Sequence, residues 1–419
     1  MTTLLTAGFL PVLSKNSSLL LLLAAVLLLP ACSGKIIKET EAEPVRKPKV
    51  AQPAQTDIPM WLGNPARRFY GSGPWSSKPL QVVWEFKTQW SCGRLHKDPW
   101  AGSGWPGQPA VIGERVYFGS ADSRVYCFNA KDGSVIWSFK TTDSAKSSPA
   151  VSGDYLVIGN LDHTVYCLKT NDGSLVWKYQ TGFETDSSPA IVGDRVYIGG
   201  EDHFYYCFDL KTGSLIYKQQ LGGSVEGGST IVDGKIYVNT EAGDLYCLNM
   251  QDGAVVWKTH IGADSNSTPA VVNGLVYTAA EDGTVRAYKQ DTGELIWKFK
   301  AKGGLNRRTK EKTGFWASPV VAKGRVYIGS NNGYLYCLNG VDGELVWKHQ
   351  ARAAIWGTSP VAGGRVIFGD KSGWVYSLSP DDGRLISEIR IGENVDATPA
   401  ILDGHIYIGA FNGKLYCLK

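Results

Sequence analysis

The residues best suited to bind a metal ion recur at one position in two successive stretches of the chain. His163 follows Asp162, and His203 follows Asp202 forty residues later. Imidazole and carboxylate groups side by side could ligate a divalent transition metal. We expect equivalent side chains of neighbouring repeats to be too far apart to share an ion. Both histidines are therefore interpreted as solvated turn residues, and no metal site is predicted.

Acidic residues recur in the same turn through the first five repeats and give way to Asn, Asp and Lys in the last three. Such an arc of charge on one face could bind a basic partner or a cation. Asp, Asn and Gly also favour tight turns, and that is our first interpretation of them. The face that carries them is nevertheless a candidate contact surface. Its candidate residues are Asp162, Glu201, Asp202, Glu281 and Asp282.

Two loops break the repeat period, over residues 92–107 and 301–316, and both combine cationic with aromatic side chains. Insertions on one face of a repeat array are frequent binding elements. Cations beside exposed rings suit an acidic or extended partner, and a tolerated, solvated insertion is the alternative. The candidate partner-binding residues are Trp100, Trp105, Arg307, Arg308, Lys310, Lys312, Phe315 and Trp316.

The remaining residues show no pattern that predicts catalysis. The sequence has no recognisable Ser-His-Asp arrangement or phosphate-binding loop, and its carboxylates pair only in turns. The 43 Lys and Arg against 39 Asp and Glu leave a formal net charge of +4 that is dispersed along the chain. Nucleic-acid binding requires a basic face, which this distribution does not provide. We predict no catalytic residue and no nucleic-acid partner.

All of these candidates lie on eight copies of one short pattern. Within a copy, four β-rich runs are separated by turns of Gly, Asp and Asn, as in the copy that begins at Ser147. Four-stranded meanders repeating at about forty residues predict an all-β fold, an eight-bladed β-propeller of four-stranded antiparallel blades. A Ser-Pro-Ala phrase or a close variant marks the copies at Pro109, Pro149, Pro189, Ser229, Pro269, Pro319, Pro360 and Pro399.

A large aromatic residue recurs in the fourth run, shortly after a turn glycine, and we expect its ring to lie across the neighbouring blade. The series is broken in the seventh copy by Ser387. The eighth copy has no fourth run of its own, whereas residues 81–88 match that run, so the N-terminal strand should close the ring. The predicted docking residues are Trp84, Trp137, Trp177, Tyr217, Trp257, Trp297 and Trp347.

The chain begins with an apolar run that ends in Leu-Pro-Ala-Cys. This resembles a bacterial lipobox, so residues 1–31 are predicted to be a lipoprotein signal peptide and Cys32 the lipidated residue. A secretory signal cleaved nearby is the alternative. Residues 32–60 mix Lys, Glu, Pro and Ala without periodicity and are predicted to be a flexible tether. Residues 61–419 then form the propeller, and Ser33 after the cysteine indicates the outer membrane.

Six of the eight cysteines share one repeat position. Packed sheets lie about 10 Å apart, whereas disulfides need Cα atoms within about 7 Å of each other. We therefore interpret the six as small buried residues between blades, while Cys92 is left without an obvious partner.

The fourth run of the repeats, with the turn before it, resembles a motif of a known protein family. The segment from Phe208 to Tyr217 resembles the tryptophan-docking motif of pyrroloquinoline quinone (PQQ) repeat propellers, with Tyr in place of Trp. The segments that end at Trp257 and Trp347 resemble it with Trp intact. Residues 61–67 are similar to the segment that precedes the ring in many such proteins. As a lipid-anchored, eight-bladed, single-domain chain, the protein resembles the family of the outer membrane protein assembly factor BamB.

That resemblance implies a non-catalytic binding scaffold, a monomeric ring anchored at the outer membrane and facing the periplasm, which holds a protein partner and needs no cofactor. The alternative is a PQQ-dependent dehydrogenase that uses Ca²⁺, or a propeller that binds a small molecule or saccharide at its axis. Quinoprotein dehydrogenases carry a vicinal cysteine pair near the cofactor, and no Cys-Cys pair occurs in this sequence. Fold does not fix function, so both classes remain open at this point.

Overall fold

The computed structural model describes residues 56–88, 107–302 and 314–419. These residues form thirty-two strands and no helix, so they contain no apolar helix that could cross a bilayer. The strands pair into eight antiparallel sheets of four strands each. The predicted all-β, eight-bladed propeller is therefore confirmed.

Each blade has a short innermost strand followed by three longer ones. Blades 1 to 4 comprise β2 (Ala110–Ile112), β3 (Arg115–Ser120), β4 (Arg124–Asn129) and β5 (Val135–Lys140); β6 (Ala150–Ser152), β7 (Tyr155–Asn160), β8 (Thr164–Lys169) and β9 (Leu175–Gln180); β10 (Ala190–Val192), β11 (Arg195–Gly199), β12 (Phe204–Asp209) and β13 (Leu215–Gln220); and β14 (Thr230–Val232), β15 (Lys235–Thr240), β16 (Asp244–Asn249) and β17 (Val255–His260).

Blades 5 to 8 repeat this order, and the last blade takes its outermost strand from the beginning of the chain. They comprise β18 (Ala270–Val272), β19 (Leu275–Ala280), β20 (Thr284–Lys289) and β21 (Leu295–Lys300); β22 (Val320–Ala322), β23 (Arg325–Gly329), β24 (Tyr334–Asn339) and β25 (Leu345–Gln350); β26 (Val361–Ala362), β27 (Arg365–Gly369), β28 (Trp374–Leu378) and β29 (Leu385–Arg390); and β30 (Ala400–Leu402), β31 (His405–Ala410), β32 (Lys414–Leu418) and β1 (Val82–Lys87).

Burial within a blade follows from its position between two neighbours. The two middle strands of blade 2, β7 and β8, are almost entirely buried, because both of their faces pack against adjacent blades. The outermost strand β9 is largely exposed, apart from the docking residue Trp177. The register sets Val157 beside Cys167 and Cys167 beside Trp177, so equivalent residues of successive strands lie side by side.

The ring closes where the two ends of the propeller chain meet. Strand β1 pairs antiparallel with β32, with Glu85 opposite Tyr416. Backbone hydrogen bonds run in both directions between Gln81 and Lys419, and Thr88 donates to the carbonyl of Gly413. The pairing thus covers residues 81–88, which confirms the predicted closing strand. Closure gives β32 a partner and completes blade 8 as a four-stranded sheet.

Seven seams between blades use one aromatic contact. Between blades 1 and 2, the indole N–H of Trp137 donates to the carbonyl of Thr170, and its ring packs against Gly173. A Cβ atom added to Gly173 would lie 2.5 Å from Trp137, so only glycine fits there. The ring–glycine pairs are Trp84–Gly133, Trp137–Gly173, Trp177–Gly213, Tyr217–Gly253, Trp257–Gly293, Trp297–Gly343 and Trp347–Gly383.

The seam between blades 7 and 8 is different, and the structure gives the reason for Ser387. Every other docking residue packs against a turn between the third and fourth strands of the next blade. In blade 8 the fourth strand is β1, from the N-terminal side of the propeller, so no turn joins it to the third strand β32. Instead, the backbone N–H of Leu80 donates to Ser387 Oγ, and the Leu80 side chain is buried there. A tryptophan at 387 would have no glycine turn to cover.

The six cysteines that share a repeat position are buried and reduced. Each lies on the third strand, beside the docking position of the fourth strand, as Cys167 lies beside Trp177. Burial raises the pKa of the Cys127 thiol to about 11 and that of Cys167 to about 12, which keeps them protonated and unreactive at neutral pH. The structure supports the interpretation of these residues as small core groups. Cys92 lies outside the described residues.

Candidate functional site at the propeller axis

The segment that precedes β1, residues 56–80, crosses one mouth of the propeller. It contacts the innermost strand, or the residues just before it, in all eight blades. Its first five residues belong to the predicted tether 32–60, so contact with the ring begins before the boundary predicted at residue 61. The contacts from blade 1 to blade 8 are Ile58 to Val111, Pro59 to Val151, Arg67 to Pro189, Pro65 to Ile231, Arg68 to Val271, Tyr70 to Val321, Trp75 to Ala362 and Ser72 to Ile401.

Arg67 fixes this segment inside the channel. Its side chain is buried, with 1 % of its surface exposed. Nε donates to the carbonyl of Ser229 at 2.9 Å, and Nη1 donates to the carbonyl of Trp61 at 2.6 Å. Nη2 donates to the carbonyl of Pro189 at 3.3 Å. Burial lowers the pKa of Arg67 to about 10, so the guanidinium remains charged at neutral pH and joins blades 3 and 4 to the segment.

The opposite mouth holds a cavity of about 110 Å³, which we call the axial pocket. Trp61 of the N-terminal segment forms its floor. Its wall consists of the connections that lead from the fourth strand of one blade to the first strand of the next. Every blade contributes, from Gly107 in blade 1 to Asp396 and Thr398 in blade 8.

A belt of hydrogen bonds holds this wall in place. In five steps a backbone N–H of one connection donates to the side-chain hydroxyl of the equivalent repeat position in the next connection. Such bonds fix the backbone of the wall while leaving the neighbouring side chains free to vary. The bonds run from Gln108 to Ser148, Ser148 to Ser188, Thr268 to Ser318, Ser318 to Thr358 and Thr358 to Thr398.

One repeat position, which we call the axial position, supplies most of the functional groups of the pocket. It lies three residues before the marker proline. In blade 7 the marker residue is Ser359 and not Pro360. Val361 pairs with Val366 in this blade as Val321 pairs with Val326 in blade 6, so Ser359 is equivalent to Pro319. The blade 1 equivalent, Pro106, is outside the described residues. The axial residues of blades 2 to 8 are Lys146, Asp186, Glu226, Asn266, Trp316, Trp356 and Asp396.

Two tryptophans form an aromatic wall on blades 6 and 7. The rings of Trp316 and Trp356 stack with their centroids 4.2 Å apart and an interplanar angle of 28°. Lys371 Nζ lies 3.1 Å from the ring centroid of Trp356, a cation–π contact. Burial raises the pKa of Glu281, while a hydrogen bond from Trp316 opposes that shift. The tryptophan pair therefore lies between the ammonium group of Lys371, next to Trp356, and the carboxyl group of Glu281, next to Trp316.

Carboxyl groups form the wall on blades 3 and 4. Burial raises the pKa of Asp186, although Lys146 opposes the shift. Burial and then the charge of Asp186 raise the pKa of Glu201, and the same two causes raise that of Glu226, which also shares a hydrogen bond with Glu241. These carboxyl groups repel each other, so they retain protons at a pH where isolated ones would be ionised. Within the described residues, no three His, Cys, Asp or Glu side chains converge as metal ligands.

The predicted acidic residues fall into two groups according to where their side chains lie. Tyr166 donates to Asp162 and Tyr206 donates to Asp202, and each carboxylate also accepts a backbone N–H from the adjoining connection. Asp282 accepts hydrogen bonds from Arg286 and Thr284. These three residues tie loops to strands. Glu201 and Glu281 instead belong to the carboxyl groups around the axial pocket.

The other predicted site residues are placed as follows. Phe315 is fully buried in the core and cannot contact a partner. Trp316 lines the axial pocket. His163 and His203 occupy left-handed turn positions, with φ of 64° and 70°. Cys32, Trp100, Trp105, Arg307, Arg308, Lys310 and Lys312 lie outside the described residues.

Sequence reasoning missed the axial position and the channel-crossing segment. A signal for the axial position was present, since the Ser-Pro phrase or a close variant recurs while the residue two positions before it changes from Lys to Asp, Glu, Asn and Trp. A residue that varies this widely beside a phrase that varies little points into open space rather than into a packed seam. Residues 56–80 carry no repeat pattern, so nothing in their sequence indicated that they contact every blade.

The sequence also matches a model of a known protein family. The sequence model of one protein family, described as outer membrane protein assembly factor BamB, matches residues 81–224, 203–313 and 300–419. Together these matches span residues 81–419, all eight blades. The chain belongs to this family. The resemblance read from the docking motifs is therefore confirmed. No curated protein sequence matches the chain.

Solved structures of three different proteins share the fold of this chain. BamB from Moraxella catarrhalis is 17% identical, with a TM-score of 0.62 over 82% of this chain and 98% of that chain. A europium-containing methanol dehydrogenase is 13% identical, with a TM-score of 0.72 over 87% of this chain and 98% of that one. The designed protein Ika8 is 15% identical, with a TM-score of 0.67 over 80% and 99%. At these identities the likeness concerns the fold alone.

The axial pocket does not fit the cofactor of the quinoprotein neighbours. Its volume of about 110 Å³ is well below the roughly 300–1,000 Å³ of pockets that enclose drug-sized ligands. Trp61 and the segment held by Arg67 occupy the channel beneath it. The carboxyl groups of Asp186 and Glu226 lie in a repelling cluster rather than in a converging set of calcium ligands. We therefore derive no redox step from this site.

Proposed function

We propose that this protein is a non-catalytic, lipid-anchored scaffold that faces the periplasm and binds a protein partner during outer-membrane β-barrel assembly. The observation that carries the proposal is the BamB family match across all eight blades. The poor fit of the axial pocket to a quinone cofactor supports the same conclusion. On this proposal the ring contributes rigidity, and no bond of the partner is made or broken.

The contact surface is the face that carries the connections between blades. Residues 56–80 cover the opposite mouth, so the connection face is the one with an open axis. It presents Trp316 and the carboxyl groups of Glu201 and Glu281 around the pocket. The described ends of the insertion 301–316 lie on this face, since they follow β21 and precede β22. Its basic residues Arg307, Arg308, Lys310 and Lys312 are proposed to contact an acidic or extended part of the partner, as are Trp100 and Trp105.

Attachment to the membrane is proposed to pass through Cys32. Residues 1–31 would be removed as a signal peptide, and lipid on Cys32 would hold the ring at the outer membrane as a monomer. The variant Cys32→Ser should be recovered in the soluble periplasmic fraction, whereas the parent protein should be recovered with membranes. An unchanged distribution between the two fractions would contradict the lipid anchor without affecting the scaffold proposal.

The scaffold proposal is tested by crosslinking in cells, followed by affinity capture of the tagged, lipidated protein and mass spectrometry. We expect to recover an outer-membrane protein of the barrel-assembly machinery. Arg307→Glu with Arg308→Glu should reduce that recovery without lowering the melting temperature. The matched control is Lys87→Glu with Lys178→Glu, two exposed lysines on outermost strands, which should leave recovery unchanged. Failure to recover any such protein with the parent chain would contradict the proposal.

A further inference from the structure

We propose that the axial pocket binds a small organic cation, an ammonium head group. The cation would lie between the tryptophans of blades 6 and 7 and the carboxyl groups of blades 3 and 4. This inference concerns a ligand site and goes beyond the scaffold function, on which it does not depend. It rests on the hydrogen-bonding groups left over in the pocket, on its charge, on its aromatic lining and on its size.

The groups left over in the pocket are acceptors. Asp186 Oδ1 and Asn266 Oδ1 are both buried, and neither has a hydrogen-bond partner. Both residues line the pocket, on adjacent sides of Glu226. A buried acceptor without a donor loses the hydrogen bonds that water would otherwise give it. A ligand that satisfies these atoms must therefore supply N–H or O–H donors, or a positive charge close to them.

The charge of the lining selects a cation over a neutral donor. Three carboxyl groups line the pocket, from Asp186, Glu226 and Asp396, against the single ammonium group of Lys146. Glu201 and Glu241 add carboxyl groups from the neighbouring loops, whereas Lys371 over Trp356 and Arg67 over Trp61 add positive charge behind the rings. An anion or a quinone carrying several carboxylates would be repelled, whereas a cation would relieve the repulsion among these groups.

The aromatic lining suits the same ligand. Indole is the best ring for cation–π attraction, and quaternary ammonium groups are commonly recognised by aromatic cages. Trp61 lies at the floor of the pocket, and the stacked rings of Trp316 and Trp356 form one side. Lys371 lies over one face of Trp356 and Trp316 stacks on the other, so Trp61 and Trp316 are the rings left to contact the ligand.

The volume limits the ligand to a head group. About 110 Å³ accommodates a few heavy atoms, such as those of choline or ethanolamine, and any longer substituent would extend outward through the mouth. The hydroxyl groups of Thr268, Ser318 and Thr358 line the pocket as well and could accept or donate to a ligand hydroxyl.

Binding should depend on pH, because the carboxyl wall titrates. The charged groups around Asp186 and Glu226 are Lys146, Glu184, Glu201 and Glu241, and burial holds the pKa values of Asp186, Glu201 and Glu226 above their usual range. The charge of choline does not change with pH. Its affinity should therefore rise as pH increases from 5 to 8, because Asp186, with a pKa of about 6, and then Glu201, with a pKa of about 8, lose protons over this range. Bound choline should in turn favour the ionised carboxylates.

The direct test is titration calorimetry of the mature protein with choline, with saturation-transfer NMR as a second measurement. The control ligand is dimethylbutanol, in which carbon replaces the quaternary nitrogen without changing its shape. We expect choline to bind at least about ten-fold more tightly, because only the charge differs. Equal binding of the two compounds, absence of choline binding, or binding of a neutral sugar instead of choline would each overturn the proposal.

Variants locate the site. Glu226→Gln and Trp316→Leu should each weaken choline binding about ten-fold. The controls are Glu294→Gln, in a turn at the far end of blade 5, and Trp374→Leu on β28, neither of which lines the pocket. Both controls should bind choline as the parent does. If Trp316→Leu fails to fold, Glu226→Gln alone decides the matter, and unchanged affinity in that variant would overturn the assignment.

Discussion

The docking seams and the axial position are built from the same repeats but differ in what they tolerate. At seven seams an aromatic ring covers a glycine of the next blade, and six of those seven rings are tryptophan. The seven axial residues that the structure describes are of five types, which range from Lys to Asp and Trp. Positions that repeat hold the ring together, whereas positions that diverge within the same register determine what the ring can bind.

The physical reason lies in the space on either side of each residue. The ring of Trp137 lies between its own blade and Gly173, where even one added methyl group would collide. An axial residue projects into an open mouth, and its backbone is held by bonds such as that from Thr268 to Ser318. Changing its side chain therefore costs the fold little, so the axial position can vary from blade to blade.

The largest expected effect comes from removing the strand that closes the ring. Deletion of residues 414–419 removes β32 and leaves β1 without a partner. We expect this to eliminate cooperative melting, because the lost strand contacts should account for most of a typical free energy of unfolding of about 5–15 kcal/mol. Circular dichroism and limited proteolysis would measure it. Removal of Lys419 alone should be far milder, and normal melting of the longer deletion would show that closure is dispensable.

The next effect concerns the repeated seams. Trp177→Ala should lower the free energy of unfolding by about 3–5 kcal/mol, because it empties the space above Gly213 and removes the hydrogen bond to Leu210. Denaturant titration would measure this change. A loss below about 1 kcal/mol would contradict the importance of the seam.

The exceptional seam provides the matched test. Ser387→Trp should destabilise the protein, because Leu80 already fills the space between blades 7 and 8. Tyr217→Trp places the same residue at a regular seam and should be close to neutral, since Gly253 already accommodates a large ring. Equal effects of the two substitutions on the melting temperature would contradict our explanation of Ser387.

The channel-crossing segment should show a smaller but specific dependence on one arginine. Arg67→Met should cost about 3 kcal/mol, because it leaves the carbonyls of Trp61 and Ser229 buried without donors. Arg68→Met is the control, since the Arg68 side chain is exposed and donates to the carbonyl of Val271, and the change should cost about 1 kcal/mol or less. Comparable losses by denaturant titration would contradict the special role of Arg67.

The smallest effect tests the axial position itself and depends on pH. The pKa of Glu226 is raised in the folded state, so the folded protein holds a proton that the unfolded chain releases above about pH 4.5. The group therefore favours unfolding increasingly as pH rises from that value. Glu226→Gln should raise the melting temperature by about 2 °C at pH 8 and leave it unchanged at pH 4. A lower melting temperature at pH 8 would show that the carboxylate stabilises the fold.

Local patterns account for what could be predicted from the sequence. Gly173 after Asp172 indicated a tight turn, Trp177 after it indicated the docking residue, and the match between residues 81–88 and other fourth runs indicated closure. Each of these signals lies within about ten residues, so each could be read without coordinates. The offset at Pro360 was misread because a single shifted proline looks the same in sequence as a shifted repeat.

The sequence by itself determined the eight blades, their seams and their closure, because each depends on a short pattern of turns and alternating side chains that repeats. Only the tertiary structure decided what meets at the axis. Arg67 reaches the carbonyl of Ser229 across 162 residues of chain, and Trp61 lies below Trp316 and Trp356 from blades far away in sequence. Contacts of that kind arise when the ring closes, since closure alone brings equivalent positions of all eight blades around one centre.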